Sequence, residues 1–278
     1  MTLVQGPVFP TEIFEGIICR SSYSTLLTTA AVNGTFHLIT RKYLFGSISL
    51  KRTIYDRDTV SRARTFLSLL NHVPDIARCV RRIHIDCFGE NLLESDDFVP
   101  DTAPLITVLS RLQRLNSVSL RGRDSTSSPR SCLDWDAVCG ELKQAFVCAF
   151  RSPLVCEIKL SHVYNLPFSI FVGCCSLKHL SLNAVSSRKS KPCHRFKSRP
   201  KLDSLVLRDS LSEIHEVEDL RSLFSPQGLL DISQLSEFVF SKEERGMESH
   251  TRPASILSDC AESIKSLELR LNTSGRFI

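Results

Sequence analysis

Apolar residues recur along this chain in a short motif, at positions one, four and six, with polar residues between them. It reads Phe45/Ile48/Leu50, Val80/Ile83/Ile85, Leu115/Val118/Leu120 and Val155/Ile158/Leu160, then Leu177/Leu180/Leu182, Leu202/Leu205/Leu207, Leu235/Phe238/Phe240 and Ile264/Leu267/Leu269. Successive motifs start 35, 35, 40, 22, 25, 33 and 29 residues apart. The steps are uneven, yet each has room for one short strand and one return segment. One residue separates the last two apolar positions, so each motif predicts a short strand with one buried face.

Most of the return segments carry helical spacing. Asp58 is placed to cap a helix bearing Val60, Ala63, Phe66, Leu67 and Leu70, which must end before Pro74. Leu105, Val108, Leu109 and Leu112 follow Pro104 at intervals of three and four. Asp134 precedes an amphipathic stretch with Trp135, Val138, Leu142, Ala145, Phe146 and Ala149 on one face, stopped by Pro153. Ser210 and Glu213 form a capping box ahead of Ile214, Val217, Leu220 and Phe224, and Pro253 opens a last helix through Ile256, Leu257, Cys260 and Ile264. Strand and return helix in alternation predict an α/β solenoid of the leucine-rich-repeat kind, parallel strands on the concave side and helices on the convex side. The slot three residues after the last apolar position, where such repeats carry Asn or Cys, holds Asn only at Asn272. The expectation is therefore an irregular repeat domain over residues 47–278. Its last strand lies a few residues from Ile278, so either Arg276-Phe277-Ile278 cap it locally or, as expected, the domain is incomplete at its C-terminus.

The first 46 residues follow a different period. Pro10 suits a first helical position, its φ already fixed and no N–H wasted. Ile13, Phe14, Ile17 and Ile18 make one apolar helix face, and Ser21-Ser22 interrupts it. Ser24 then caps a second helix with Leu26, Leu27, Ala30 and Ala31. Asn33-Gly34 stops it, and Phe36, Ile39, Tyr43 and Leu44 mark a third. Three such short helices bury too little surface to be comfortable alone and want a neighbour or a partner.

At these residues the chain resembles the F-box family. Phe9-Pro10-x-Glu12-Ile13-Phe14, the Ser24-x-Leu26-Leu27 second helix, Val32-x-x-x-Phe36 and the closing Leu44-Phe45 match its pattern, with Phe9 in place of leucine and Asn33 in place of cysteine. The division implied is an N-terminal extension over 1–8, a three-helix F-box-like domain over 9–46 and the repeat domain after it. An F-box followed by leucine-rich repeats resembles the substrate receptors of Skp–cullin–F-box ubiquitin ligases. That resemblance implies a non-catalytic subunit whose partners are a Skp-type adaptor, through it a cullin, and an unknown protein substrate. Carried over residue by residue, Phe9, Pro10, Ile13, Ile17 and Leu27 are the expected adaptor contacts, while Ile18, Val32, Phe36 and Ile39 pack the bundle itself. The alternative is a plain leucine-rich-repeat interaction scaffold whose helices only cap the solenoid.

Composition narrows the classes. With 278 residues and 42% apolar content the chain can bury a real core. A net charge of +5 is too small to argue for nucleic acid, so none is expected as a partner. Eleven cysteines, an odd number without a Cys-x-x-Cys pair, and no secretory signal predict a reduced protein of the cytoplasm or nucleus. No run is long enough to span a bilayer, so no membrane association is expected.

Little points to chemistry. Cys174, Cys175, His179, Cys193 and His194 contain metal-ligand types at spacings that fit no structural zinc site, so no metal is expected. No Gly-x-Ser-x-Gly, His-Glu-x-x-His or phosphate-binding glycine loop occurs, and neither an enzyme nor a cofactor is expected. Residues 187–201 hold seven Lys/Arg and no acid. The plain reading is a solvated loop; the functional ones are a nuclear-localisation signal or a site for an anionic partner, including a nucleic-acid or chromatin module. Polar residues between the strand apolars, among them Ser119, Glu157 and Ser181, are candidates for the substrate face. Arg82, His84, Arg121, Lys159, His179 and Arg208 are the foremost.

Overall fold

The computed structural model describes residues 11–32, 34–51, 59–86, 102–122, 133–187, 199–208, 223–224, 228–244, 257–258 and 260–273. Three helices open it: α1 (Thr11–Ile18), α2 (Tyr23–Ala30) and α3 (Gly34–Leu44). Then come β1 (Ser47–Leu50), α4 (Thr59–His72), α5 (Ile76–Cys79), β2 (Arg82–Asp86), α6 (Ala103–Arg111), β3 (Ser117–Arg121) and β4 (Leu133–Asp134). α7 (Gly140–Phe150), β5 (Glu157–Leu166), a 3₁₀ turn (Phe168–Phe171), β6 (His179–Ser187), β7 (Ser204–Arg208), β8 (Glu237–Glu244) and β9 (Ser266–Thr273) complete it. The fold is α/β, built on one open nine-stranded sheet. Apart from β4, which pairs only with β5, the strands lie side by side in chain order, each parallel to the next.

The recurring apolar motif sets the register. Ile48, Ile83, Val118, Ile158, Leu180, Leu205, Phe238 and Leu267 stand in one cross-strand column, and Leu50 through Leu269 in the second. Between the two edges these residues are essentially fully buried, Ile83, Val118 and Ile158 at 0%. The first residue of each motif sits just before its strand, with Val80, Val155, Leu202 and Leu235 also buried. A backbone ladder repeats at that same point. The carbonyl of Gly46 accepts the N–H groups of both Arg81 and Arg82, and those of Arg81, Asn116, Cys156, Lys178, Asp203 and Ser236 each accept two from the next strand, at 2.8–3.1 Å. Pairing these backbone groups at the strand starts removes the desolvation cost that unpaired N–H and C=O groups would carry there. Gly46 is required there, since a Cβ would lie 2.5 Å from the Lys42 carbonyl oxygen.

Return segments supply the second layer of the core. α4 packs on α6 and α6 on α7, and Val60, Ala63, Phe66 and Leu70 of α4 and Leu105, Val108 and Leu109 of α6 are buried at the spacing expected of them. Pro104 lies in the first turn of α6. Phe146 and Phe150 of α7 are wholly buried and stack at 6.2 Å between ring centroids.

Several local expectations are corrected. The N-cap of α2 is Ser22, whose hydroxyl accepts the Thr25 N–H at 3.2 Å, two residues ahead of Ser24. The helix expected after Asp134 starts only at Gly140. Asp134 is paired in β4, and its carboxylate accepts the Asp136 N–H and the Asn165 amide at 3.0 Å each, which ties down a turn. Trp135 and Val138 are buried from that turn rather than from the helix, Trp135 against Phe146. Val32, expected inside the bundle, is 67% exposed, because α2 ends at Ala30 and the chain turns away from the packed face. At the slot expected to turn the chain, β5 and β6 instead continue, with Val163 paired to Val185 and both buried. His162, Asn165 and Ala184 take positive φ there, next to a register shift. The caps at Asp58 and at Ser210 and Glu213, most of the helix opened by Pro253, and residues 188–198 of the basic run lie outside the described residues.

Candidate binding surfaces

Alternation along a parallel strand puts every second side chain on the face opposite the core. The sheet therefore carries a second set of columns made from the polar residues of the motif. One runs Ser49, His84, Ser119, Lys159, Ser181 in register, and the next runs Asp86, Arg121, Ser161, Asn183, Arg208. Together with Lys51, just past β1, these residues (Ser49 aside) line a groove of about 240 Å³. Lys51, Arg121, Lys159 and Arg208 bring cations to it, and among the described residues Asp86 is the one carboxylate in its lining.

Electrostatics inside the groove follow from its being half-buried. Burial first, then Lys51, Lys159 and Arg82, hold the His84 imidazole below its ordinary value of 6.5, so it is neutral at pH 7. Burial raises the Asp86 carboxyl above 3.8 despite the opposing pull of Lys51 and Arg121. Glu157, in the neighbouring column, pairs with Lys159 at 2.7 Å. Burial works against its charge, yet hydrogen bonds from Lys159 and Ser117 outweigh that and keep it below the usual carboxylate range. The arrangement is a donor-rich surface of cations, hydroxyls and one amide: it can hold an anionic or hydrogen-bonding chain.

Four of the six residues expected on the substrate face, His84, Arg121, Lys159 and Arg208, meet in this groove. Arg82 and His179 do not line it. They fall in the column Arg82, Ser117, Glu157, His179, Ser204, two residues nearer the strand starts. Lys51, Asp86, Ser161 and Asn183 were missed. Their signal is positional: each follows the last apolar residue of its motif by one, the same place that Arg121 and Arg208 occupy.

A second surface lies on the three N-terminal helices. Ile18, Leu26 and Ile39 form a small buried cluster of their own; Phe14 and Phe36 pack against it and meet each other edge-to-face at 5.2 Å between ring centroids. Lys42 clips α3 to Glu15 of α1 at 3.0 Å. Ile13, Ile17 and Leu27 are left 48%, 61% and 49% exposed. Phe9 and Pro10 lie outside the described residues. Tyr23 and Leu38 are exposed apolar residues of this unit that helical spacing alone did not single out.

Of the thiols and imidazoles with metal-ligand chemistry, Cys174 is a core residue donating to the Ile170 carbonyl, its thiol pushed up to about 12 by burial. Cys193 and His194 are outside the described residues, and among those described no three His, Cys, Asp or Glu side chains gather as a metal site. No described helix is long and apolar enough to cross a membrane.

No protein-family model matches the chain, and a search of curated proteins finds no match. What the geometry defines is an open parallel α/β sheet with a cation-rich polar face and an apolar helical surface at its N-terminal end.

Proposed function

We propose that this chain is the substrate-recognition subunit of a Skp–cullin–F-box type ubiquitin ligase, without catalytic chemistry of its own. In this reading α1–α3 are an F-box that docks on a Skp-type adaptor and through it a cullin. The sheet is an irregular leucine-rich-repeat solenoid whose polar face holds the target protein. The observation that carries the reading is the division of labour in the helices. They spend Ile18, Leu26 and Ile39 on a core of their own and leave Ile13, Ile17 and Leu27 facing outward. Exposed aliphatic residues on so small a unit favour a partner surface. Strands that follow one another in chain order, in one register and with one backbone ladder, support the repeat half of the reading.

Each aliphatic anchor buried on an adaptor contributes about 1.5–3 kcal/mol before association entropy is subtracted, so losing two should abolish capture. The test is a pull-down of the purified chain with a Skp-type adaptor, beside Ile13→Asp/Ile17→Asp and Leu27→Asp variants. Capture of the native chain and loss with the variants is the expected result. The second reading is an interaction scaffold whose helices cap the sheet. It draws on α3 packing against α5 and Phe45 packing into the main core. Failure of the native chain to be captured would leave that reading in possession.

A further inference from the structure

We infer that the groove on the polar face of the sheet holds an extended Asp/Glu-rich segment of the partner protein, lying across the strands with its carboxylates on Lys51, Arg121, Lys159 and Arg208. This deepens the reading above and rests on the polar face being the receptor surface.

The spacing of the cations selects the occupant. Lys51 follows β1, Arg121 ends β3, Lys159 lies within β5 and Arg208 ends β7. At about 4.8 Å between neighbouring strands, they span roughly 24 Å in steps of about 10, 5 and 10 Å. An extended peptide of about seven residues covers that length. Its same-face side chains recur about every 6.8 Å, close enough for flexible Lys and Arg stems to meet successive carboxylates. A lone phosphate would reach Arg121 and Lys159 and leave the outer two cations unused. Between the cations, Ser119, Ser161, Ser181 and Asn183 offer donors and acceptors to a peptide backbone.

Charge balance points the same way. Among the described residues that line the groove, four cations face one carboxylate, and the Lys159–Glu157 pair is exposed enough, 46% and 27% at the two side chains, to exchange partners with an incoming acid. Single-stranded nucleic acid fits less well: among the described residues no aromatic side chain lines the groove for bases to stack on. His84 adds a signature. It is faced by Lys51, Arg82, Asp86, Glu157 and Lys159, and carboxylates brought beside it favour its protonation, so binding tightens as the pH falls.

The experiment is fluorescence anisotropy of labelled octaglutamate with the full chain, with octalysine and a Gly-Ser octapeptide as controls. Expected are binding of octaglutamate alone, loss of at least about tenfold in affinity for Arg121→Glu/Arg208→Glu, and tightening of about threefold for Asp86→Asn. Arg121→Gln serves as a gentler variant, and thermal melting shows that each variant is folded. No octaglutamate binding overturns the inference. So does binding that ignores the groove variants and is lost when the Lys and Arg of residues 188–198 are replaced by serine. The same proteins are run in the adaptor pull-down. Adaptor capture without peptide binding sinks this inference and leaves the receptor reading standing. Groove-dependent peptide binding without adaptor capture does the reverse.

Discussion

The N-terminal helices and the sheet are built from the same aliphatic and aromatic residues, and they treat them in opposite ways. In the sheet, Ile83, Val118, Ile158 and Leu205 are wholly buried, each with an in-register apolar neighbour on both sides. In the helices only Ile18, Leu26 and Ile39 reach comparable burial, while Ile17 and Val32 are 61% and 67% exposed. A strand in a long parallel sheet shares its apolar face with two neighbours. Three helices of eight to eleven residues have only one another, and each buries a narrow stripe. At the far edge of the sheet, Leu267 and Leu269 of β9 are 49% and 48% exposed, with β8 the one strand paired to β9 among the described residues. Burial here follows what packs beside each residue and not its hydrophobicity: Leu50 of β1, at the opposite edge, is 2% exposed with α4 against its strand.

That contrast can be broken most severely in the sheet body. Phe146→Ala, which empties the space between Trp135 and Phe150, is expected to cost about 3–5 kcal/mol in chemical denaturation. Gly122→Ala should cost about 1–3 kcal/mol by overpacking, because a Cβ would lie 2.1 Å from the His162 carbonyl oxygen and 2.6 Å from the Leu133 nitrogen. Its footprint should appear as faster amide exchange at β4 and the facing part of β5. Leu26→Ala is expected to cost about 2–3 kcal/mol, expressed as local opening of α1–α3 in hydrogen exchange with the sheet still protected. Global exchange on that substitution would mean the helices and the sheet fold as one unit. Ile17→Ala, at an exposed position, should stay within about 0.5 kcal/mol while weakening adaptor capture.

The smallest effect concerns pH. His84 binds its proton less readily in the folded than in the unfolded chain, so the native state holds fewer protons as acid is added. Stability is then lost as the pH falls from about 6.5 through the lower folded value, and the loss levels off below it. His84→Gln should flatten that part of a stability-against-pH curve. An unchanged slope would assign the titration to another group.

Much of the fold was legible in the residues. The motif with apolar positions one, four and six located all eight long-path strands and aligned their columns, and the spacing from Val60 to Leu70 and from Leu105 to Leu109 located two return helices. Errors arose where a residue was read by local chemistry and the answer depended on a distant neighbour. Asp134 carries the right side chain for a helix cap, yet it is held in β4 and its carboxylate also takes the amide of Asn165, 31 residues on. Val163 and Val185 extend their strands because each finds the other. Among the site candidates, Arg82 and His179 have the right charge, but sit one polar column too early to enter the groove.

The alternation of apolar and polar residues by itself determined which side chain of each strand faces inward, and hence the register of the whole sheet. Burial is decided residue by residue against a period of two, and that period is written locally. Only the tertiary structure decided that Lys51, Arg121, Lys159 and Arg208 share one groove, that β5 and β6 outrun the motif, and that Ile17 and Leu27 stay outside while Ile18 and Leu26 turn in. Those outcomes depend on which strand or helix lies alongside, at a distance of tens to more than a hundred residues along the chain, and no local period carries that information.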